Sequence, residues 1–327
     1  MAGGAGYVGA HTAIELMDQG YSVCIADDFS GGTEGNIARM NRILRVPVEW
    51  ARVNLTDYRQ TAAFFEKNRF DAVMNFAAYK AIEASVTDPL IYYENNLNVT
   101  INLCKAMAAF DIGQMVFSSS ATVYGSGTSP MTEDQSTDNT TNPYGETKRM
   151  CEKILSDFHA ADSTKQVCVL RYFNPIGAHK SGLIGEPDID NGANLMSRLC
   201  NVAKGQQAML EIYGNDYPTP DGTAIRDYVH VMDVAGGHVA ALKFLNQFGG
   251  FHAFNLGTGC GVSVLEIVKT FQTVSGVEIP YRFMPRRSGD VAECIASVDK
   301  ADRVLHWRTK RTLEEMVRDT WRFACSC

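Results

Sequence analysis

Tyr144 and Lys148 stand four residues apart, behind an Asn-Pro pair at positions 142 and 143 that is typical of a helix start. At this spacing both side chains project from one face of the helix. An ammonium close to a phenol favours the phenolate, so we expect Lys148 to lower the pKa of Tyr144 towards neutrality. Tyr144 can then act as a general base on a hydroxyl group, and as the acid in the reverse direction. Because most Tyr-x-x-x-Lys pairs are solvated helix faces, the pair indicates catalysis only together with other motifs.

A segment rich in hydroxyl side chains, residues 118–122, follows the apolar residues Val116 and Phe117. The apolar residues predict a strand, and the carboxyl ends of parallel strands line the ligand crevice of such a sheet. We therefore expect Ser120 to face the same crevice as Tyr144. The alternative is a turn whose serines bond only to nearby backbone groups.

Gly3, Gly6 and Gly9 have the spacing of a dinucleotide-binding loop and stand directly before an amphipathic helical pattern. Glycines at these positions permit a tight turn and let the backbone approach a pyrophosphate at the helix N-terminus. Asp27 ends the next apolar segment, where a carboxylate accepts hydrogen bonds from an adenosine ribose and repels a 2′-phosphate. The combination predicts NAD rather than NADP, although an acidic residue in a strand-to-loop turn remains the alternative for Asp27.

Strands and helices must position these side chains, and short apolar segments that alternate with helical patterns predict where they lie. The runs predict strands at residues 21–26, 71–77, 114–118 and 167–173. They indicate an α/β fold with a doubly wound, Rossmann-type parallel sheet in an NAD-binding domain at residues 1–173. Pro, Gly, Asn and Asp become dense at 174–192 and 215–222, which predicts long loops in a smaller α/β substrate-binding domain at 174–327. A strand at 227–231 is expected to return to the first domain.

Only Met1 and Ala2 precede the glycine loop, whereas a doubly wound sheet has its first strand there, in the middle of the sheet. Without that strand, two neighbouring strands would lack a hydrogen-bonding partner, and buried unpaired backbone groups are costly. We therefore expect a truncated first strand. Either the natural start lies upstream, or the chain has lost this part of its ancestor.

Composition excludes several classes of function. The 327 residues include 30 basic and 37 acidic side chains, a net charge of −7 that argues against nucleic acid as a partner. The chain has no apolar run of the roughly 18 residues that a bilayer requires and no leader pattern, so we expect neither a membrane nor a secreted protein. The nine cysteines, from Cys24 to Cys327, lack metal-type spacing. They predict free thiols in a cytoplasmic protein without a metal site.

The order of these motifs resembles the extended short-chain dehydrogenase/reductase family, and within it the nucleotide-sugar 4-epimerases nearly end to end. The resemblance rests on SSSATVYG at 118–125, LRYFNP at 170–175, YGNDYPT at 213–219 and IRDYVHVMD at 225–233. It implies reversible epimerisation at C4 of UDP-galactose and UDP-glucose through a 4-keto sugar, with tightly bound NAD. It also implies a homodimer formed through helices of the first domain.

The same resemblance implies roles for individual residues. Tyr144 would be the catalytic base, Lys148 would bind the nicotinamide ribose, and Ser120 would hydrogen-bond the reacting oxygen. The implied cofactor-binding residues are Gly3, Gly6, Tyr7, Val8, Gly9, Asp27, Asn54, Leu55, Phe76, Ala77, Lys80, Asn95, Tyr144, Lys148 and Phe173. The implied substrate-binding residues are Ser120, Thr122, Tyr144, Asn174, Asn194, Leu195, Tyr213, Arg226, Arg287, Asp290 and Cys294. Each has a structural alternative, such as a core role for Phe76 or an ion pair of Arg226 with Asp227.

Cys294 implies a wider substrate range. In the family its position faces the 2-substituent of the sugar, and forms restricted to the plain sugars have tyrosine there. A cysteine is smaller, so we expect UDP-GalNAc and UDP-GlcNAc to be interconverted as well. The alternative is a small buried thiol without consequence for the substrate.

Three other functions compete with this interpretation. A sugar 4,6-dehydratase needs an acidic pair after the serine, and Ala121-Thr122 stands there, so that activity is excluded. A UDP-glucuronate 4-epimerase would need a cation for the C6 carboxylate, and the sequence points to none. A truncated, non-catalytic relative would explain the short first strand, but not the intact Ser120, Tyr144 and Lys148.

Overall fold

The computed structural model describes residues 1–186, 194–287 and 289–326. Its helices are α1 (Tyr7–Asp18), α2 (Glu34–Leu44), α3 (Tyr58–Lys67), α4 (Ile82–Thr87), α5 (Pro89–Ala109), α6 (Pro143–Ala161), α7 (Leu195–Ala203), α8 (Val231–Phe248), α9 (Val264–Ser275), α10 (Asp299–Leu305) and α11 (Leu313–Cys325), with a 3-10 turn at Ala121–Tyr124. Its strands are β1 (Cys24–Asp27), β2 (Glu49–Arg52), β3 (Ala72–Asn75), β4 (Gln114–Ser118), β5 (Gln166–Tyr172), β6 (Asn174–Ile176), β7 (Leu210–Tyr213), β8 (Ile225–Arg226), β9 (Tyr228–His230), β10 (Phe251–Leu256), β11 (Val262–Ser263), β12 (Tyr281–Met284) and β13 (Glu293–Cys294).

The main sheet is parallel throughout. β1 pairs with β2, and β3, β4, β5 and β10 form a second run in the order β10-β5-β4-β3. Strands β1, β3 and β4 bury side chains on both sides, as strands of a parallel sheet covered by helices do, whereas β2 at the edge is largely exposed. The predicted α/β fold with a Rossmann-type parallel sheet is confirmed.

Residues Met1–Gly3 lie between β1 and β3 and hydrogen-bond to both, so they connect the two sets of paired strands. Ala2 forms parallel bridges to Ala26 on β1 and to Asn75 on β3. Its N–H donates to the Met74 carbonyl at 2.8 Å, and its own carbonyl accepts from the Phe76 N–H at 2.9 Å. On the other side, the Ala26 N–H donates to the Met1 carbonyl at 2.9 Å. The expectation that two strands would lack a partner is therefore wrong at the carboxyl end of the sheet, where three residues of the chain complete the pairing.

The predicted strands lie close to the observed ones, with informative differences. The strand expected at 71–77 ends at Asn75, because the Ala77 N–H turns back to the Asn75 side chain at 3.1 Å. The segment expected at 227–231 ends as a strand at His230, and α8 begins at Val231. α8 then packs against α1 and the sheet through side chains such as Val234 and Leu245.

A second group of elements surrounds its own core. β7 pairs with β12, β6 with β9, and β8 lies between β11 and β13. Helices α7, α9 and α11 cover them and bury Leu199, Phe271 and Val317. Residues 215–222 have no regular structure, as predicted, whereas the loop predicted at 174–192 begins with β6, and its residues 187–192 lie outside the described ranges, as does Cys327. The division of the chain at residue 173 stays a prediction.

No helix within the described ranges combines the length and the apolar character that crossing a membrane requires.

Candidate active site

The glycine loop leaves room for a ligand at one position and packs tightly at the two others. Gly3 has a φ of +69°, and a Cβ there would lie 2.6 Å from the Ala77 nitrogen. A Cβ on Gly9 would lie 2.5 Å from the Gly3 carbonyl oxygen. At Gly6, the cap residue of α1, the nearest atom to an added Cβ is 3.5 Å away. The helix start therefore offers backbone N–H groups to an anion at an open position, as a pyrophosphate site requires.

Asp27 lies at the carboxyl end of β1 beside this loop, with only 6% of its surface exposed. Its Oδ2 accepts from the Ala5 N–H at 2.9 Å, and its Oδ1 accepts from the Phe29 N–H at 2.8 Å. Burial raises the pKa of the carboxyl, and the two backbone donors oppose that rise. Each oxygen keeps a second lone pair, so Asp27 can still accept from a ribose diol.

The predicted catalytic residues lie together, and local sequence explains how. The Asn142 side chain caps α6 by accepting from the Gly145 N–H at 2.8 Å. A Cβ on Gly145 would lie 2.8 Å from the Thr122 carbonyl oxygen, so this glycine lets the first turn of α6 approach the Ala121–Tyr124 turn. As a result Ser120 lies close enough to the buried Tyr144 phenol to act on its pKa, and its hydroxyl accepts from Thr122 Oγ1 at 2.9 Å.

Lys148 is buried one turn further along α6. Its Nζ donates to the Ser118 carbonyl at 2.7 Å and lies 5.9 Å from the centre of the Tyr144 ring. Burial lowers the pKa of Lys148 to about 8. Burial also raises the pKa of Tyr144, although the hydrogen bond from Ser120 opposes the rise. In the protein alone, burial is therefore the largest influence on the pKa of Tyr144, and the lowering of that pKa by Lys148 stays a prediction.

A cluster of charges lies at the other end of the site. Arg226 Nη2 is 3.6 Å from Asp290 Oδ1, and Arg287 Nε donates to Asp290 Oδ2 at 3.0 Å. The Tyr213 ring lies 5.1 Å from the Arg287 guanidinium. Arg226 thus pairs with Asp290 rather than with the adjacent Asp227. The Asp227 side chain instead accepts from the backbone of residues 258, 259 and 296.

Cys294 connects this cluster to the catalytic residues. It lies beside Arg226 in the β13–β8 register, and its Sγ is 4.0 Å from Met131 Sδ. Met131 belongs to a small apolar cluster with Ala121 and Phe173. Burial raises the pKa of the thiol to about 11, so at neutral pH Cys294 is an uncharged, half-buried side chain.

Lys80 extends across the mouth of the site. Its Nζ donates to Glu186 Oε1 at 2.6 Å and lies 5.8 Å from the centre of the Tyr7 ring. Glu186 Oε2 in turn accepts from Asn194 Nδ2 at 3.0 Å. Asn194 also caps α7, because its Oδ1 accepts from the Ser197 N–H. Both the nitrogen and the oxygen of its side-chain amide therefore have hydrogen-bonding partners.

The remaining predicted residues make contacts with other parts of the protein or lie beside the ends of its strands and helices. The Phe76 ring packs on His238 at 4.7 Å, the Asn174 N–H donates to the Asp227 carbonyl, and Asn95 Nδ2 donates to Asn96 Oδ1 at 3.0 Å. Val8, Asn54, Leu55, Ala77, Phe173 and Leu195 lie at the ends of the strands and helices described above.

Asn96 is a residue that the sequence did not single out. It is buried, its Oδ1 accepts from the Tyr79 N–H, and its Nδ2 donates to the Thr147 hydroxyl at 2.9 Å. It therefore fixes α6 against the loop that follows β3. The sequence holds two adjacent asparagines at 95 and 96, and only their burial, which depends on the rotation of α5, distinguishes them. No cluster of metal-ligating side chains occurs in the described part of the chain.

Comparisons with known proteins show the family of the chain. The profile of the NAD dependent epimerase/dehydratase family matches residues 1–257. A UDP-glucose 4-epimerase of Bacillus subtilis (strain 168) is 49% identical over 327 residues, which cover 100% of this chain and 96% of that protein.

Solved structures are similar over the whole chain. The UDP-glucose 4-epimerase from Bifidobacterium longum, in complex with NAD⁺ and UDP, has a TM-score of 0.96 and 41% identity, covering 99% of this chain and 97% of that one. The UDP-Glc/GlcNAc 4-epimerase from Campylobacter jejuni has a TM-score of 0.86 and 33% identity, covering 100% and 98%.

Proposed function

Because the chain belongs to the NAD dependent epimerase/dehydratase family, we propose that it catalyses the reversible epimerisation of UDP-galactose and UDP-glucose at C4. The observation that carries the proposal is the grouping of Ser120 with the buried Tyr144 and Lys148, whose Nζ lies 5.9 Å from the centre of the Tyr144 ring. The group lies at the carboxyl end of the same sheet as the glycine loop. A base alone cannot invert a carbon that bears a hydroxyl. Inversion requires oxidation to a 4-keto sugar and reduction from the opposite face, and bound NAD would accept the hydride in the first step and return it in the second.

Tyr144 moves the proton in this proposal. Its phenol removes the proton of the sugar 4-hydroxyl during oxidation and returns it during reduction. Ser120 donates a hydrogen bond to the reacting oxygen, and Thr122 orients Ser120 through the 2.9 Å hydrogen bond between their hydroxyls. Lys148 supplies the local cation that favours the phenolate, and the positive charge of an oxidised nicotinamide adds to the same effect.

The chain offers matching groups for the cofactor. The open position at Gly6 and the start of α1 suit the pyrophosphate, and Asp27 suits the adenosine ribose. Lys80, which is exposed and paired with Glu186, can exchange this carboxylate for a cofactor phosphate.

The nucleotide end of the substrate belongs at Arg226 and Arg287. A UDP group carries two adjacent phosphates, and guanidinium groups bind phosphate oxygens in a bidentate manner. Asp290 holds both arginines in place, and Tyr213 lies against Arg287 at the same end. The sugar then lies between this cluster and Tyr144, next to Cys294.

We further propose that UDP-GalNAc and UDP-GlcNAc are substrates. The small, uncharged side chain of Cys294 leaves space beside the sugar that a tyrosine ring would fill. It packs against a small apolar cluster, in which its Sγ lies 4.0 Å from Met131 Sδ. The similar C. jejuni protein is named for both UDP-glucose and UDP-GlcNAc.

We propose a homodimer and a cytoplasmic location as well. Leu90 and Ile91, on the first turn of α5, are exposed apolar side chains of the kind that a partner subunit covers. All eight cysteines in the described residues are free thiols, which fits a reducing compartment. Light scattering after size exclusion tests the dimer directly.

The experiment for the activity uses the purified chain without added NAD. UDP-galactose and UDP-GalNAc are incubated separately, and the products are separated by chromatography, while NAD is measured in the heat-released supernatant by enzymatic recycling. We expect bound NAD and conversion of both sugars. Conversion of UDP-galactose alone would refute the N-acetyl proposal. Conversion of neither sugar by NAD-loaded protein would refute the epimerase function.

A further inference from the structure

Behind the catalytic serine segment lies a buried ion pair that the proposed chemistry does not use. Glu152, on α6, and Arg171, on β5, each have only 9% of the side chain exposed. Arg171 Nη2 donates to Glu152 Oε2 at 2.6 Å, and its Nε is 3.1 Å from Oε1 and 3.2 Å from Oε2. The guanidinium therefore binds the carboxylate with two of its nitrogens, the strongest arrangement for such a pair.

The carboxylate reaches the catalytic segment through Ser119. Ser119 is fully buried, and its hydroxyl donates to Glu152 Oε1 at 2.5 Å. Its two neighbours carry the groups of the site: the Ser118 carbonyl accepts from Lys148, and the Ser120 hydroxyl contacts Tyr144. A shift of Ser119 would therefore move both groups relative to the helix that carries Tyr144 and Lys148.

The ion pair also holds the turn that follows the serines. Arg171 Nη1 donates to the Tyr124 hydroxyl at 3.0 Å, and Tyr124 donates to Asn255 Oδ1 at 2.7 Å. Tyr124 ends the 3-10 turn that begins after Ser120. The pair thus connects α6, which carries Tyr144 and Lys148, with the end of β4 and the 3-10 turn, between which Ser120 lies.

A buried ion pair is an expensive way to fill space, because desolvation of two charges opposes their attraction, and apolar residues of similar volume often stabilise a fold equally well. An exact hydrogen-bonding geometry is what the charged pair adds. We propose that Glu152 is a positioning residue for the reaction: held by Arg171, it fixes Ser119 and so sets the Ser118 carbonyl and the Ser120 hydroxyl against Lys148 and Tyr144. This inference rests on the proposed epimerase function.

The charge of Glu152 has a second effect that separates positioning from simple packing. The titratable groups that act on Lys148 and Tyr144 are Glu152 and Cys151 on α6, Tyr172 on β5 and Tyr92 on α5. Glu152 is the carboxylate in this set, and its charge raises the pKa of Lys148 against the larger lowering by burial. Removing that charge lowers the pKa of Lys148 further, so the ammonium is lost at a lower pH.

Two variants and one control test the proposal. Glu152→Gln removes the charge and keeps the size, whereas Ser119→Ala removes only the link and leaves the ion pair intact. Asp157→Asn removes a carboxylate from the exposed face of the same helix and is the matched control. For each protein, kcat and KM for UDP-galactose are measured per molecule of bound NAD across pH, together with the Tm.

We expect Glu152→Gln to lower kcat by roughly tenfold to a hundredfold, the size of effect that a small misplacement of reacting groups produces, with KM changed by less than about twofold. The alkaline limb of its kcat profile should move to lower pH. Ser119→Ala should lower kcat by about threefold or more at wild-type Tm, without a shift of that limb. Asp157→Asn should match the wild type in every measurement.

Several results would overturn the proposal. One is a wild-type kcat in the Ser119→Ala variant. This result would refute the positioning role even if Glu152→Gln fails to fold because Arg171 is left unpaired. Another is a Glu152→Gln protein that has a lower Tm and binds less NAD but keeps the wild-type kcat per molecule of bound NAD and an unchanged pH profile. That result is expected for a purely structural pair. A wild-type chain that holds NAD but converts no UDP-galactose would instead refute the proposed function itself.

Discussion

The ammonium of Lys148 donates a 2.7 Å hydrogen bond to the carbonyl of Ser118, and this bond joins the catalytic helix to the catalytic strand. Lys148 is on α6 with Tyr144, and Ser118 ends β4 two residues before Ser120. The base and its hydrogen-bonding partner come from distant parts of the chain, and this contact keeps them in register. The predictions below follow from that arrangement.

Replacement of the proposed base, Tyr144, should greatly reduce the reaction rate without loss of bound NAD. Tyr144→Phe removes one hydroxyl from a buried ring, so we expect kcat to fall by about 10² to 10⁴-fold, the usual contribution of a general base. Bound NAD and Tm should stay near the wild-type values. Tyr58→Phe, at an exposed ring on α3, is the control, and a Tyr144→Phe protein with substantial activity would contradict the role of Tyr144.

Activity should decline as the pH rises through the pKa of Lys148. Burial lowers that pKa from 10.5 to about 8, so half of the ammonium is lost at about pH 8 and most of it at higher pH. Since the ammonium favours the reactive phenolate, kcat should fall on the alkaline side of about pH 8. The pH profile of kcat with saturating UDP-galactose is the measurement, and a plateau extending to about pH 10 would show that Lys148 keeps its ordinary pKa.

The tight packing of the glycine loop should be necessary for cofactor retention. A Cβ on Gly9 would lie 2.5 Å from the Gly3 carbonyl oxygen, so Gly9→Ala must push the loop away from α1. We expect the purified variant to hold less than about a tenth of the wild-type NAD, since the loop amides form much of the anion site. Gly31→Ala is the matched control, because a Cβ there meets no atom within 4 Å. Equal NAD content in the two variants would refute the proposed loop function.

The side chain at position 294 should decide which sugars react. Cys294→Tyr places a ring beside the sugar, so conversion of UDP-GalNAc should fall below detection while kcat for UDP-galactose stays within about threefold of the wild type. Cys260→Tyr, at an exposed cysteine, controls for the added ring. An equal loss of both activities would mean that the tyrosine disturbs the fold rather than the pocket.

Local signals were sufficient to predict the elements that carry the catalytic groups. Asn142 and Pro143 predict the start of α6, and the side-chain cap that the structure contains depends on those residues alone. The end of β1 at Asp27 and the hydroxyl-rich end of β4 follow in the same way from short apolar runs. Each of these features needs only a few neighbouring residues, which is why the sequence predicts them.

Contacts between distant segments were not predictable by these means. Nothing local pairs Glu152 with Arg171, or β10 with β5, because such contacts depend on how the whole sheet assembles. The burial that raises the pKa of Tyr144 could not be predicted for the same reason: the spacing to Lys148 is visible in the sequence, but the burial of the phenol is not. The pairing by Ala2 also requires both neighbouring strands to be in place before it can be seen.

The central claim is that C4 is oxidised and reduced within one site that holds its own cofactor. UDP-galactose labelled with deuterium at C4 tests it, with the purified chain and an excess of unlabelled NADH in solution. The account predicts UDP-glucose that retains the deuterium at C4, with no label in the water or in the free dinucleotide. Product that has lost the label to solvent, or labelled dinucleotide in solution, would contradict it.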